Sequence, residues 1–144
     1  MWARLKIKAY SPMVMTMARP RVLLFGLDPY RVPGPWDPEP VAKRIAAGLA
    51  RFAEHGVEVE VCLLGIDGSD NIDEVVSRTL RGEVWQCVVI GGGLRSPDDQ
   101  VELLELVVNL IRLHAPTAAL AFSSAPSDTF DAAARWLNLG PGKR

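Results

Sequence analysis

The chain is 144 residues long, 49% hydrophobic and 23% charged, with a formal net charge of −1. That length suits one domain with a substantial core, and no apolar run approaches the roughly 20 residues that span a bilayer, so no membrane partner is expected. Charge is unevenly spread. Arg4, Lys6, Lys8, Arg19 and Arg21 precede the first acid, which leaves 11 of the 16 basic residues against all 17 acids in the remainder. A body that acidic lacks the electrostatic footprint of a nucleic-acid binder.

Residues 1–20 lack the apolar stretch and small-residue cleavage site of a secretory signal, and are expected to form a flexible or loosely docked extension. From Arg21 the pattern becomes regular. "RVLLFG" is an apolar run of the kind that forms a buried parallel strand. A Pro-rich loop follows, then a helix that Asp37 caps, with Pro38 first and a stripe of Val41, Ile45, Leu49 and Phe52. His55-Gly56 closes it. "VEVEVCLLG" is the second strand. A second helix starts near Ser69 or Asp70, turns Ile72, Val75, Val76, Thr79 and Leu80 inward, and ends at Gly82. "WQCVVIG" is the third strand, and a third helix runs from Ser96 (its cap) and Pro97 to His114. "TAALAF" is the fourth strand, "DTFDAAARWL" the last helix, and residues 140–144 a tail.

Strand and helix alternate four times across residues 21–139, which predicts a single α/β domain: a three-layer α/β/α sandwich on a four-stranded parallel sheet. The expected strand order is 2-1-3-4, as in flavodoxin-like folds, with a Rossmann-like order as the alternative. Cys62 and Cys87 both lie in apolar strands, where they serve as small core residues, and a reduced, cytoplasmic setting fits them.

In such a sheet ligands sit at the carboxyl ends of the strands where the order reverses, here between the first and third strands. Two loops meet there. One carries Asp28, Tyr30, Arg31 and Trp36, and the other Gly91, Gly92, Gly93 and Arg95. Arg31 and Arg95 are the candidate holders of an anionic ligand, and Asp28 is the candidate acid-base group. "GGGLRS" fits neither G-x-G-x-x-G nor a Walker loop. The three glycines therefore read first as a sharp backbone turn, and otherwise as the lining of a ligand site or a phosphate cradle. Asp67, Asp70, Asp73 and Glu74 miss the calcium-loop spacing, so no metal site is assigned. Ser123 and Ser124 follow the fourth strand without G-x-S-x-G around them, and join the site as binding rather than nucleophilic residues.

Residues 21–139 resemble the receiver domains of response regulators in this rhythm, most closely in "HAPTAALAFSSAPSDTFDAAARWL" (114–137). There Ser123 or Ser124 matches the hydroxyl residue that the family places after its fourth strand. The resemblance implies a flavodoxin-like fold. The chain departs from the family where it needs a phosphoacceptor aspartate, having Ile90 and Gly91 there, and it has no fifth strand carrying a lysine. Phosphotransfer is therefore not expected. "RVLLFGLDPY" is also slightly similar to the opening of pyroglutamyl peptidases, whose cysteine and histidine contexts are missing.

Helix 97–114 carries more apolar surface than a sheet-packed helix needs, which points to a homodimer through that helix. Two functions follow: a small-molecule site for an anionic ligand at the loops after strands 1 and 3, or a non-catalytic receiver-like interaction domain.

Overall fold

A computed structural model describes residues 20–95 and 100–137. The expectations for residues 1–19, for the helix cap at Ser96 with Pro97, Asp98 and Asp99, and for residues 138–144 lie outside the described residues. Four strands form one parallel sheet: β1 (Arg21–Leu27), β2 (Glu58–Leu64), β3 (Cys87–Ile90) and β4 (Ala119–Phe122). Their spatial order is β2-β1-β3-β4, as expected. Four helices flank them: α1 (Glu39–Glu54), α2 (Ile72–Arg81), α3 (Val101–His114) and α4 (Thr129–Leu137).

The central strands β1 and β3 are apolar on every residue after Arg21 because both faces are covered. Along β1, Leu23 and Phe25 join the core beneath α2 and α3, with Val88, Ile90, Leu80, Val107 and Ile111. Val22 and Leu24 face the other way, into a second core with Phe52 of α1 and Phe130 and Ala132–Ala134 of α4. Strand β2 lies at an edge, and its Glu58 and Glu60 are accordingly exposed.

The surplus apolar residues of α3 are mostly covered within the chain. Leu103, Leu104, Leu106 and Val108 pack beside buried Val107, Leu110 and Ile111 against the core that α2 shares. Only Val101 and Leu113, near the two ends of the helix, stand well exposed.

Several local details differ from expectation. Asn71 caps α2, its Oδ1 accepting the Glu74 N–H at 3.2 Å. Asp70 cannot take that role because its carboxylate accepts the Gly65 N–H at 2.8 Å. Helix α1 starts at Glu39 with Pro38 rather than Asp37 in the N-cap position, and Asp37, one residue further out, accepts the Glu39 N–H at 3.1 Å. Gly56 closes it with φ +69°.

Candidate functional site

The loops after β1, β3 and β4 surround a cavity of about 340 Å³. Its floor is Leu24 and Gly26 of β1 with Leu63 of β2, and one wall is Val41 and Ile45 of α1. The Gly91–Gly93 segment and residues Ser123–Pro126 form the opposite wall, with Thr129 of α4. Leu27, Pro29, Val32 and Trp36 complete it from the Pro-rich loop. No side chain in this lining carries a charge.

The three glycines turn the chain without left-handed backbone, the Leu94 N–H donating to Gly91 O at 3.2 Å. None has a positive φ. Gly92–Arg95 instead forms one helical turn, which glycine-rich sequence would not predict. Gly91 extends the β1–β3 pairing, its N–H donating to Phe25 O at 2.8 Å. A methyl group on Gly91 would lie 3.2 Å from that same backbone oxygen, whereas methyls on Gly92 and Gly93 would meet their neighbours at ordinary contact distance. The tightness belongs to Gly91 alone.

Asp28 and Arg31 do come together, but as partners of each other. Arg31 Nε donates to Asp28 Oδ2 at 2.9 Å, and Arg31 Nη1 lies 2.9 Å from Asp70 Oδ2. The guanidinium also donates to Ser69 Oγ at 3.1 Å and to Leu63 O at 3.1 Å. The second oxygen of Asp28 accepts the Tyr30 N–H at 3.0 Å. Arg31 is thus a clamp that holds the loop after β1 against the end of β2. It lies across the bare backbone of Gly65, where any Cβ would overlap the guanidinium. Asp28 and then Asp70 hold the Arg31 pKa above its ordinary value. In return, the Gly65 N–H and then Arg31 hold Asp70 below the usual carboxylate value. Neither Asp28 nor Arg31 is in the cavity lining.

No protein-family model matches the chain, and the comparison with curated proteins finds no match. The site therefore has to be read from its own geometry.

Tyr30 is exposed and donates through its hydroxyl to Glu39 Oε2 at 2.6 Å, a bond that raises the phenol pKa. Trp36, partly exposed in the cavity lining, donates Nε1–H to Val32 O at 3.2 Å. Arg95 donates to Ser123 O at 3.2 Å and lies beside Gly92 of the glycine wall. Ser124 Oγ donates to Asp128, which also accepts the N–H groups of Ser124 at 3.1 Å and Ala125 at 3.2 Å. Thr129 Oγ1 donates to Pro126 O at 3.4 Å. Ser123 differs from all of these. It is 2% exposed, and its hydroxyl finds no hydrogen-bond partner among the described residues.

Of the residues that the sequence assigned to a ligand site, Trp36, Gly91–Gly93, Ser123 and Ser124 line the cavity, and Asp28, Tyr30, Arg31 and Arg95 do not. Sequence reasoning missed the α1 wall of Val41 and Ile45, whose apolar spacing reads as ordinary core. It also missed Pro126 and Thr129, and the organising carboxylates Asp70 and Asp128. Among the described residues no group of three or more His, Cys, Asp or Glu side chains is placed to hold a metal ion, and no helix is long and apolar enough to cross a membrane.

Proposed function

We propose that this protein binds a small organic molecule in the cavity at the switch point between β1 and β3. The observation that carries this reading is the cavity itself, about 340 Å³ and walled by the loops after β1, β3 and β4. That volume falls in the range of small-molecule sites, at the location where doubly wound sheets bind ligands. Asp28 serves here as half of the Arg31 clamp that keeps the Pro-rich loop in place, not as an acid-base group. Arg95 is the cation available at the rim.

The test is thermal melting of the protein against nucleotides, coenzymes, small carboxylates and compact apolar molecules. A ligand present at 100 times its Kd adds about 2.7 kcal/mol. Ile45→Phe, which places bulk in the α1 wall, abolishes the shift if the cavity is the site. No shift with any compound, or a shift that survives in Ile45→Phe, refutes the proposal.

A second reading is a receiver-like interaction domain acting as a homodimer through helix 97–114. It is favoured by exposed Val101 and Leu113 on α3. Sedimentation equilibrium decides it: a dimer that Leu113→Glu splits supports this reading, and a monomer at high concentration rules it out.

A further inference from the structure

A cavity selects its ligand through the polar groups that its own fold leaves unsatisfied. Among the side chains of this lining nearly all are satisfied. Ser124 is bound to Asp128, Thr129 faces the Pro126 carbonyl, and the Trp36 indole faces Val32. The Ser123 hydroxyl is the exception, buried in the lining without a partner among the described residues. Buried polar groups are hydrogen-bonded in the great majority of cases, and leaving one unpaired carries the full cost of stripping its water. The Ser123 backbone is fixed on both sides. Its N–H donates to Ile90 O at 3.1 Å, and its carbonyl accepts from Arg95 at 3.2 Å. The orphaned hydroxyl thus stands on an immobile stem beside the glycine wall.

Around it the lining is uncharged, and a charged ligand would surrender its hydration there with no counter-charge to replace it. Benzene fills an apolar cavity of about 150 Å³. Scaling to about 340 Å³ gives room for a molecule of about a dozen non-hydrogen atoms.

Building on the small-molecule reading above, we propose that the cavity takes an uncharged, compact molecule of that size bearing one hydrogen-bonding oxygen, which docks on the Ser123 hydroxyl. The Ser123 oxygen has almost no accessible surface, so docking turns the side chain about its Cα–Cβ bond until its O–H donates to the ligand oxygen, and apolar contact with Leu24, Val41, Ile45 and Leu63 holds the rest.

Three probes of nearly equal size separate the possibilities: 2-acetylnaphthalene, 2-ethylnaphthalene and 2-naphthoate. Each is titrated calorimetrically into the full chain and into the Ser123→Ala and Arg95→Ala variants. In the unaltered protein the ketone is expected to bind about 10-fold tighter than the ethyl compound, the worth of one buried hydrogen bond. Naphthoate is expected to bind weakest. Ser123→Ala should erase the ketone's advantage while leaving the ethyl compound's affinity in place, and Arg95→Ala should leave the ranking unchanged. Because Ser123→Ala removes an unpaired group, its ligand-free melting temperature should equal or exceed the original, which verifies folding.

Equal affinities for ketone and ethyl compound, or a ketone advantage that survives Ser123→Ala, overturn the hydroxyl anchor while the cavity remains a site. Tightest binding by naphthoate, lost in Arg95→Ala, overturns the uncharged class in favour of an anion held at the rim. Failure of all three probes overturns the inference as well. Whether the binding site falls with it is then read separately from the melting screen and Ile45→Phe.

Discussion

Gly48→Ala puts a sharp number on how α1 meets the loop before α4. Gly48 is buried mid-helix, and a methyl group there would overlap the Pro126 carbonyl oxygen far inside contact distance. On helix propensity alone the substitution should stabilise by about 1 kcal/mol. The overlap acts against it. The obstacle is backbone rather than the mobile end of a side chain, so the cost belongs at the upper end of the overpacking range, about 3 kcal/mol. The net expectation is a loss of about 2 kcal/mol, or roughly 4–8 °C in Tm. Urea unfolding followed through the buried Trp85 measures it. Ala47→Gly, one residue earlier on the exposed side, is the control, expected to lose about 1 kcal/mol from propensity alone. A Gly48→Ala variant as stable as the parent, or more so, would show that α1 is not pressed on the Pro126 loop and would refute the reasoning.

Other expectations concern the glycines, the clamp and the thiols. Gly91→Ala should cost about 1–2 kcal/mol through its contact with the Phe25 carbonyl, whereas Gly92→Ala and Gly93→Ala should stay within about 0.5 kcal/mol of the parent in the same unfolding assay. Asp70 titrates below its ordinary value of 3.8 in the folded chain. A depressed acid adds stability above its unfolded pKa and surrenders it as pH falls through the folded one. Asp70→Asn should therefore flatten the loss of stability below pH 3.8 seen in acid titrations. Burial pushes the Cys87 thiol up to about 12. At pH 8 a disulfide reagent should accordingly leave Cys87 unlabelled until urea unfolds the chain, as mass spectrometry of the labelled peptides would show.

How much of this was legible in the sequence depends on the range over which each feature is determined. Fully apolar "VLLF" and "CVVI" read as buried parallel strands, whereas the strand order came from likeness to flavodoxin-like folds, since equally apolar "ALAF" lies at an edge. The cavity's position followed from that order. The helical turn at Gly92–Arg95 was hidden because glycine has the poorest helix propensity of any residue but proline, and tertiary contacts override it there. The roles of Asp28 and Arg31 were hidden for a different reason. A loop arginine beside a switch point looks like an anion holder until its partner is known. That partner, Asp70, arrives from after β2, beyond any local spacing rule. The same carboxylate explains the misplaced cap of α2: drawn to Gly65 and Arg31, Asp70 left the role to Asn71. Val41 and Ile45 show the converse limit, since an apolar stripe reads alike whether it meets a packed core or the wall of a void.

Helix α1 is held unequally along its length. Its last turn is fastened to the start of α4 by Arg51 Nη1 to Asp131 Oδ2 at 2.8 Å, by the edge-to-face pair Phe52–Phe130 and by His55 stacked on Phe130. Its middle rests on the Pro126 loop at Gly48, and its first turns line the cavity with Val41 and Ile45 while the Tyr30–Glu39 hydrogen bond ties them to the Pro-rich loop. The residues that fasten its last turn, Arg51, Phe52 and His55, do not line the cavity. The wall of the cavity and the packing of α1 on α4 are thus parts of one helix, determined by residues at opposite ends of it.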